Sequence, residues 1–180
     1  LGMDIKSTEA GRQKANAQLM NGQRYIAIQA FSNDSKKDWT NEKWGEALSL
    51  VQKLNEGLCF ILLGGPSDEE RLCELAGELK KNKVSYQLSI CDLETALALV
   101  QRSEMLISVD TSIKHLAAAV HSRVVELALG SSQPERTGAF SAQSLILRSN
   151  EACAPCEHSQ DCSRASHACA ETMTADFVGL

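Results

Sequence analysis

Short apolar runs and longer amphipathic segments alternate through most of this chain, and that alternation restricts the fold more than any other feature. "YIAIQA", Tyr25 to Ala30, is a compact run rich in β-formers. In "TNEKWGEALSLVQKLNEG", Trp44, Leu48, Val51 and Leu54 recur at helical spacing, with Thr40 placed to cap the start and Gly57 to stop the end. "LCFILLGG" reads as a second strand closed by Gly64-Gly65-Pro66. "SDEERLCELAGELKKN" reads as a helix with acids in its first turn and lysines in its last, as the helix dipole favours. "VSYQLS", "EMLISVD", "RVVELAL" and "SLILRS" read as further strands. "DLETALALVQRS", capped by Asp92, and "TSIKHLAAAVHS" read as helices, and "GSSQPERTGAF" as a polar loop. Strands and helices in this rhythm predict an α/β fold, a Rossmann-like parallel sheet with helices on both faces. Near-continuous apolar strands suit a sheet buried on both sides.

The expected divisions are a linker and leading helix over 1–22, the Rossmann-like domain over 23–150, and a cysteine-rich loop with the start of a further helix over 151–180. The opening reads as a piece of a longer protein already under way, and "TADFVGL" as a helix broken off in its middle. No apolar stretch reaches the roughly 18–20 residues that span a bilayer, and no signal-peptide core opens the chain. A formal charge of −5 without a long basic run argues against a dedicated nucleic-acid binder. It leaves room for one small anionic ligand, because a helix N-terminus holds phosphate without net basic charge.

Ligands of open parallel sheets bind outside the carboxyl ends of the strands. Polar clusters fall at four of those ends: "FSNDSKKDW", "GGPSDEE", "DTSIKH" and "GSSQPERTG". The plainest reading of Asp110-Thr111-Ser112 is a helix cap, a side-chain oxygen accepting from free backbone N–H groups. The same helix end, with His115 in its first turn, also suits a phosphate, and the two readings are compatible. Asp68, Glu69 and Glu70 are most simply first-turn acids, with sugar hydroxyls as an alternative partner. Lys36 and Lys37 are most simply solvated, with phosphate as the alternative. Trp39 and Trp44 are expected to anchor the core. The chain has no G-x-G-x-x-G after its first strand, no G-x-x-x-x-G-K-[ST] and no G-x-S-x-G, which counts against dinucleotide dehydrogenases, P-loop enzymes and the hydrolase elbow.

Taken together, "KKDWTNEKW", "LLGGPSDEE", "SVDTSIKHLAAAV" and "GSSQPERTG" resemble the heptosyltransferase family of glycosyltransferases, family 9, over about residues 24–178. The third segment is similar to the family's D-T-G-x-x-H-x-A-A and the fourth to its G-x-T-x-P-x-x-T-G. The resemblance implies the C-terminal half of a two-domain GT-B enzyme. It implies an inverting transferase that takes sugar from an ADP-heptose-type donor in lipopolysaccharide core biosynthesis. The partners implied are that donor and a lipid A–core acceptor, the acceptor and the general base belonging to a preceding domain. The expected location is the cytoplasm, at the inner face of the bacterial inner membrane, with at most peripheral membrane contact. On this resemblance Lys37 contacts phosphate or sugar, Asp68 or Glu69 holds hydroxyls, and Asp110 holds the heptose. Thr111, Ser112 and His115 hold the diphosphate with Ser132 near it. Ser112 departs from the family's glycine, "QAFSND" from its H-P-G-A-like stretch, Thr40 from its proline and Ser132 from its threonine. A divergent, non-catalytic nucleotide-binding module of the same fold is the alternative, and an epimerase-like sugar-nucleotide enzyme a third idea. This half alone is expected not to turn over.

Seven cysteines divide into two groups. Cys59, Cys73 and Cys91 lie among apolar residues, as buried thiols do. Cys153, Cys156, Cys162 and Cys169 crowd the tail with His158 and His167 between them. Their spacing admits a structural zinc, disulfides or packed free thiols. The family resemblance implies that no cofactor is required for catalysis.

Overall fold

The structure, a computed structural model, describes residues 5–20, 22–139, 141–157, 161–162 and 166–175. Its centre is a six-stranded, wholly parallel sheet in the order β3-β2-β1-β4-β5-β6. The strands are β1 (Tyr25–Gln29), β2 (Cys59–Gly64), β3 (Tyr86–Ile90), β4 (Leu106–Val109), β5 (Val124–Ala128) and β6 (Ser144–Arg148). The helices are α1 (Glu9–Gln18), α2 (Asn41–Leu54), α3 (Glu69–Lys81), α4 (Leu93–Arg102), α5 (Ser112–Ala119) and the short α6 (Pro134–Thr137) and α7 (Ala168–Thr172). The Rossmann-like fold expected from the strand–helix alternation is therefore present. Residues 176–180, where the chain reads as broken off in mid-helix, lie outside the described residues.

Alternate residues of each strand serve opposite faces, as the pleat requires. Ile26, Ile28, Phe60, Leu62, Ile107, Val109 and Leu127 meet α2 and α3 on one face. Tyr25, Ala27, Cys59, Ile61, Leu63, Leu106 and Val124 meet α1, α4 and α5 on the other. Trp39 and Trp44 are buried on the α2–α3 face and pack edge to face, ring centres 5.4 Å apart. The tail returns to that same core through Cys169, Ala170, Met173 and Ala175, and the Trp39 indole donates to the Ala170 carbonyl at 3.0 Å.

Helix starts follow local chemistry. Thr40 accepts from the Lys43 N–H at 3.3 Å at the head of α2, and Asp92 from the Thr95 N–H at 2.9 Å at the head of α4. α2 ends at Leu54, before Gly57, whose φ of +76° turns the chain out of the helix. The segment "GSSQPERTGAF", expected as loop, contains α6, because Pro134 pre-sets the dihedral of a first helical turn.

Candidate functional site

β1 pairs with β2 on one side and β4 on the other, so the strand order reverses at this point in the sheet. The helices following the two halves diverge there and open a crevice. A cleft of about 1080 Å³ occupies it. One wall is apolar, with Leu63, Leu93, Ala96 and Ile113; another is polar, with Lys37, Asp110, His115 and Arg136.

Six of the expected site residues line this cleft: Lys37, Asp68, Asp110, Thr111, Ser112 and His115. Two do not. Glu69 is the first residue of α3 and faces outward, so of the two acids only Asp68 reaches the cleft, its carboxylate accepting from the Gly65 N–H at 3.0 Å. Ser132 is buried away from the cleft, with no partner for its hydroxyl among the described residues; its neighbour Ser131 lines the cleft and donates to Asp34 at 2.5 Å.

The cap reading of Asp110-Thr111-Ser112 requires correction. Thr111 stands at the cap position of α5, but no side chain caps that helix. Asp110 is drawn elsewhere. One of its oxygens accepts from the Lys37 ammonium at 2.8 Å and the other from Lys114. Lys114 is 0% exposed and also pairs with Glu126, itself 0% exposed, on β5. Glu126 accepts in addition from the Ala139 N–H at 3.1 Å. Burial pushes the Asp110 carboxyl up, but the hydrogen bonds and charges of Lys114 and Lys37 outweigh it and hold the group below its ordinary value. Neither Lys114 nor Glu126 stood out in the sequence. The available signal was one of parity: Ser108 and Glu126 are polar residues at inward positions of otherwise apolar strands, and they are register partners beneath α5.

The loop after β1 is fixed from inside. Asp38 accepts from the Ser32 N–H at 2.7 Å and pairs with Arg71, whose guanidinium lies 4.1 Å from the centre of the Phe31 ring. Burial raises the Asp38 carboxyl above its ordinary value, only partly opposed by Ser32 and Arg71. The loop after β5 packs on it so closely that a Cβ on Gly130, at φ +55°, would lie 2.0 Å from the Lys36 carbonyl. The tail completes the clamp: Cys156 N–H donates to Gly130 O at 2.9 Å, Gly130 N–H to Cys169 Sγ at 3.3 Å, and Lys36 to Glu157 O at 2.9 Å.

Among the other thiols, Cys59 is buried as expected, Cys73 is exposed on α3, and Cys91 is half-buried in the cleft wall. Burial, followed by neighbouring Cys169, Cys153 and Cys162, raises the Cys156 thiol. Among the described residues no group of three or more His, Cys, Asp or Glu side chains is arranged to hold a metal ion; His158 lies outside those residues. No helix among them is long and apolar enough to cross a membrane.

The sequence model of glycosyltransferase family 9 (heptosyltransferase) matches residues 2–167. The chain belongs to this family. Lipopolysaccharide heptosyltransferase 3 of Escherichia coli is 26% identical over 108 residues, 59% of this chain and 31% of that protein. The solved ADP-heptose lipopolysaccharide heptosyltransferase II of E. coli shares the fold with a TM-score of 0.76 and 19% identity, over 98% of this chain and 51% of that one. E. coli heptosyltransferase WaaC, solved with ADP, gives 0.67 and 22%, over 93% and 46%. The chain thus spans about a third of the curated relative and about half of the solved ones.

Proposed function

We propose that this chain is the donor-binding, C-terminal half of an inverting GT-B glycosyltransferase. The whole protein would move sugar from an ADP-heptose-type donor to a lipid A–core acceptor in lipopolysaccharide synthesis, at the cytoplasmic face of the membrane. The observation that carries the reading is the cleft itself. It joins an apolar wall fit for a nucleobase to the uncapped amino end of α5, with Lys37, His115 and Arg136 close by. The first-turn amides of a helix lack partners within the helix, and the helix dipole favours anions there. A diphosphate is therefore the ligand group that suits this corner, and its leaving charge can be stabilised by amides and cations without a metal.

In this reading the Thr111 and Ser112 amides and His115 face the diphosphate, Lys37 supplies a cation, Asp68 accepts nucleoside or sugar hydroxyls, and Asp110 accepts from the sugar. Ser131 takes the place first assigned to Ser132. The cleft volume lies just above the roughly 300–1,000 Å³ range of small-molecule sites, which suits a large ligand such as a nucleotide sugar. The general base and acceptor belong to the preceding domain. Ser112, exposed at the first position of α5 where the family has glycine, favours a second reading, a nucleotide-binding module without transfer activity.

Calorimetric titration with ADP, UDP and GDP tests the reading. The expected result is selective ADP binding on the order of 0.1–1 mM, weakened several-fold in His115→Ala. Equal binding of all three nucleotides, or binding indifferent to His115, would remove the donor-site assignment.

A further inference from the structure

Asp110 directly precedes the cap residue of α5, close to the free N–H groups of the first turn, which attract a negative group, and its carboxylate could turn onto them. It does not do so here. Lys114, four residues on along the same helix, holds one Asp110 oxygen in the protein interior. Lys114 is in turn anchored from below by Glu126, and Glu126 by the Ala139 N–H. A continuous line of charge-assisted bonds therefore runs from the loop before β6, through β5 and α5, to Lys37 at the cleft. Lys114 and Glu126 are 0% exposed, so neither can meet a ligand; Asp110 is 8% exposed and lines the cleft.

Resting on the donor-site reading above, we propose that Lys114 is a positioning residue. It fixes one oxygen of Asp110 inside the protein and leaves the other, now held by Lys37, to be passed to a sugar hydroxyl when a nucleoside diphosphate sugar binds.

The arrangement has two consequences. The carboxylate is kept off the amino end of α5, so the first-turn amides stay open for a diphosphate. Lys37 is released only to a ligand that offers both an anion for the ammonium and a hydroxyl donor for Asp110. The charges sum simply: Lys37 and Lys114 balance Asp110 and Glu126, so moving Lys37 onto phosphate leaves one negative charge aimed at the sugar. A nucleoside diphosphate alone satisfies half of this exchange; a nucleoside diphosphate sugar satisfies both halves.

The test compares ADP with ADP-heptose on wild type and on the double variant Lys114→Met with Glu126→Gln. That pair removes one buried charge of each sign, and the glutamine carbonyl can still accept from Ala139. The expected result is that the double variant loses roughly tenfold of the advantage of ADP-heptose over ADP, about one hydrogen bond to a charged group, whatever the change in ADP binding itself. An unchanged advantage of ADP-heptose over ADP would overturn the proposal.

A second readout is carboxyl-carbon NMR titration of Asp110. The groups facing Asp110 are Lys37 and Lys114, with Glu126 behind Lys114; Asp34, Asp68, Arg136 and His115 line the same cleft. In the double variant Asp110 should titrate at higher pH than in wild type. If wild type binds neither nucleotide, the donor reading fails by itself, and this titration decides the positioning role: a raised value supports it, superimposable curves overturn it. Should the double variant not fold, Glu126→Gln alone serves the binding comparison, with the same direction expected at roughly threefold, and no change overturning.

Discussion

The two faces of the sheet are made by the same strands, residue by residue in alternation, yet they do different work. Toward α2 and α3 the strands offer Ile26, Ile28, Phe60, Leu62, Ile107, Val109 and Leu127, and the two tryptophans and the returning tail close a dry core. Toward α4 and α5 the pattern includes smaller residues, and on the strands beneath α5 it is broken by Ser108 on β4 and Glu126 on β5. Both breaks lie under α5, and Lys114 descends from that helix to meet one of them. The dry face has only to exclude water. The other must support a polar cleft at its edge, and it does so by burying a chain of opposite charges. Such a chain gives a carboxylate a fixed direction, which apolar packing cannot do, at a cost in desolvation that packing does not incur.

The sharpest way to break this comparison is to cut the buried chain. Lys114→Met leaves Asp110 and Glu126 without their shared cation, one of them fully buried. The expected loss is about 3–5 kcal/mol, read from the urea unfolding midpoint. Leu62→Ala on the dry face should cost about 2–5 kcal/mol through transfer and cavity terms. The difference lies in rescue: adding Glu126→Gln should recover much of the Lys114→Met loss, and no polar substitution near Leu62 should do the same. A cost for Lys114→Met below about 1 kcal/mol would mean that the chain is effectively hydrated and the faces are alike.

A smaller effect separates the faces by pH. Asp110 is held below its ordinary value, so the unfolded chain binds this proton more readily than the folded one. The stability it contributes is present above the unfolded value, about 3.9, and is lost as pH falls through the folded one. Asp38, beside Phe31 and Arg71 at the rim of the dry face, is raised by burial, so its contribution falls as pH climbs past the unfolded value. Unfolding curves between about pH 2 and 7 should therefore show the gap between wild type and Asp110→Asn closing toward acid. The gap for Asp38→Asn should slope the opposite way. Parallel slopes would remove the distinction.

Much of the fold was legible because it rests on local rules. Apolar periodicity located six strands and the longer helices, and Thr40 and Asp92 announced their caps. The cleft was legible to the extent that polar residues must gather at strand ends, which brought out Lys37, Asp68, Asp110 and His115 together. What escaped were features decided by pairing across the sheet. Glu126 reads as a lone acid in "RVVELAL" until register sets it beside Ser108 beneath α5. Lys114 is one unremarked lysine in "TSIKHLAAAVHS" until its ammonium is seen between two acids. The choice of Ser131 over Ser132 for the cleft depends on the turn at Gly130, which is fixed by contact with the Lys36 carbonyl 94 residues earlier in the chain.

The smallest expected effect concerns the helix starts, where sequence suggested that α2 and α5 were alike. Both have threonine at the cap position. Thr40 uses its hydroxyl on the Lys43 N–H, whereas Thr111 caps nothing with its side chain, and its hydroxyl lies 3.3 Å from that of Ser108. Thr40→Ala should therefore cost about 1 kcal/mol, as loss of a working cap does. Thr111→Ala should cost no more than about 0.5 kcal/mol, as a substitution that removes no cap. The order matters more than either value. A helix end that faces a ligand gains from being left open, because any side chain satisfying its amides competes with the anion. Should Thr111→Ala prove the costlier of the two, the amino end of α5 is closed by its own hydroxyl in solution, and the anion would have to displace it.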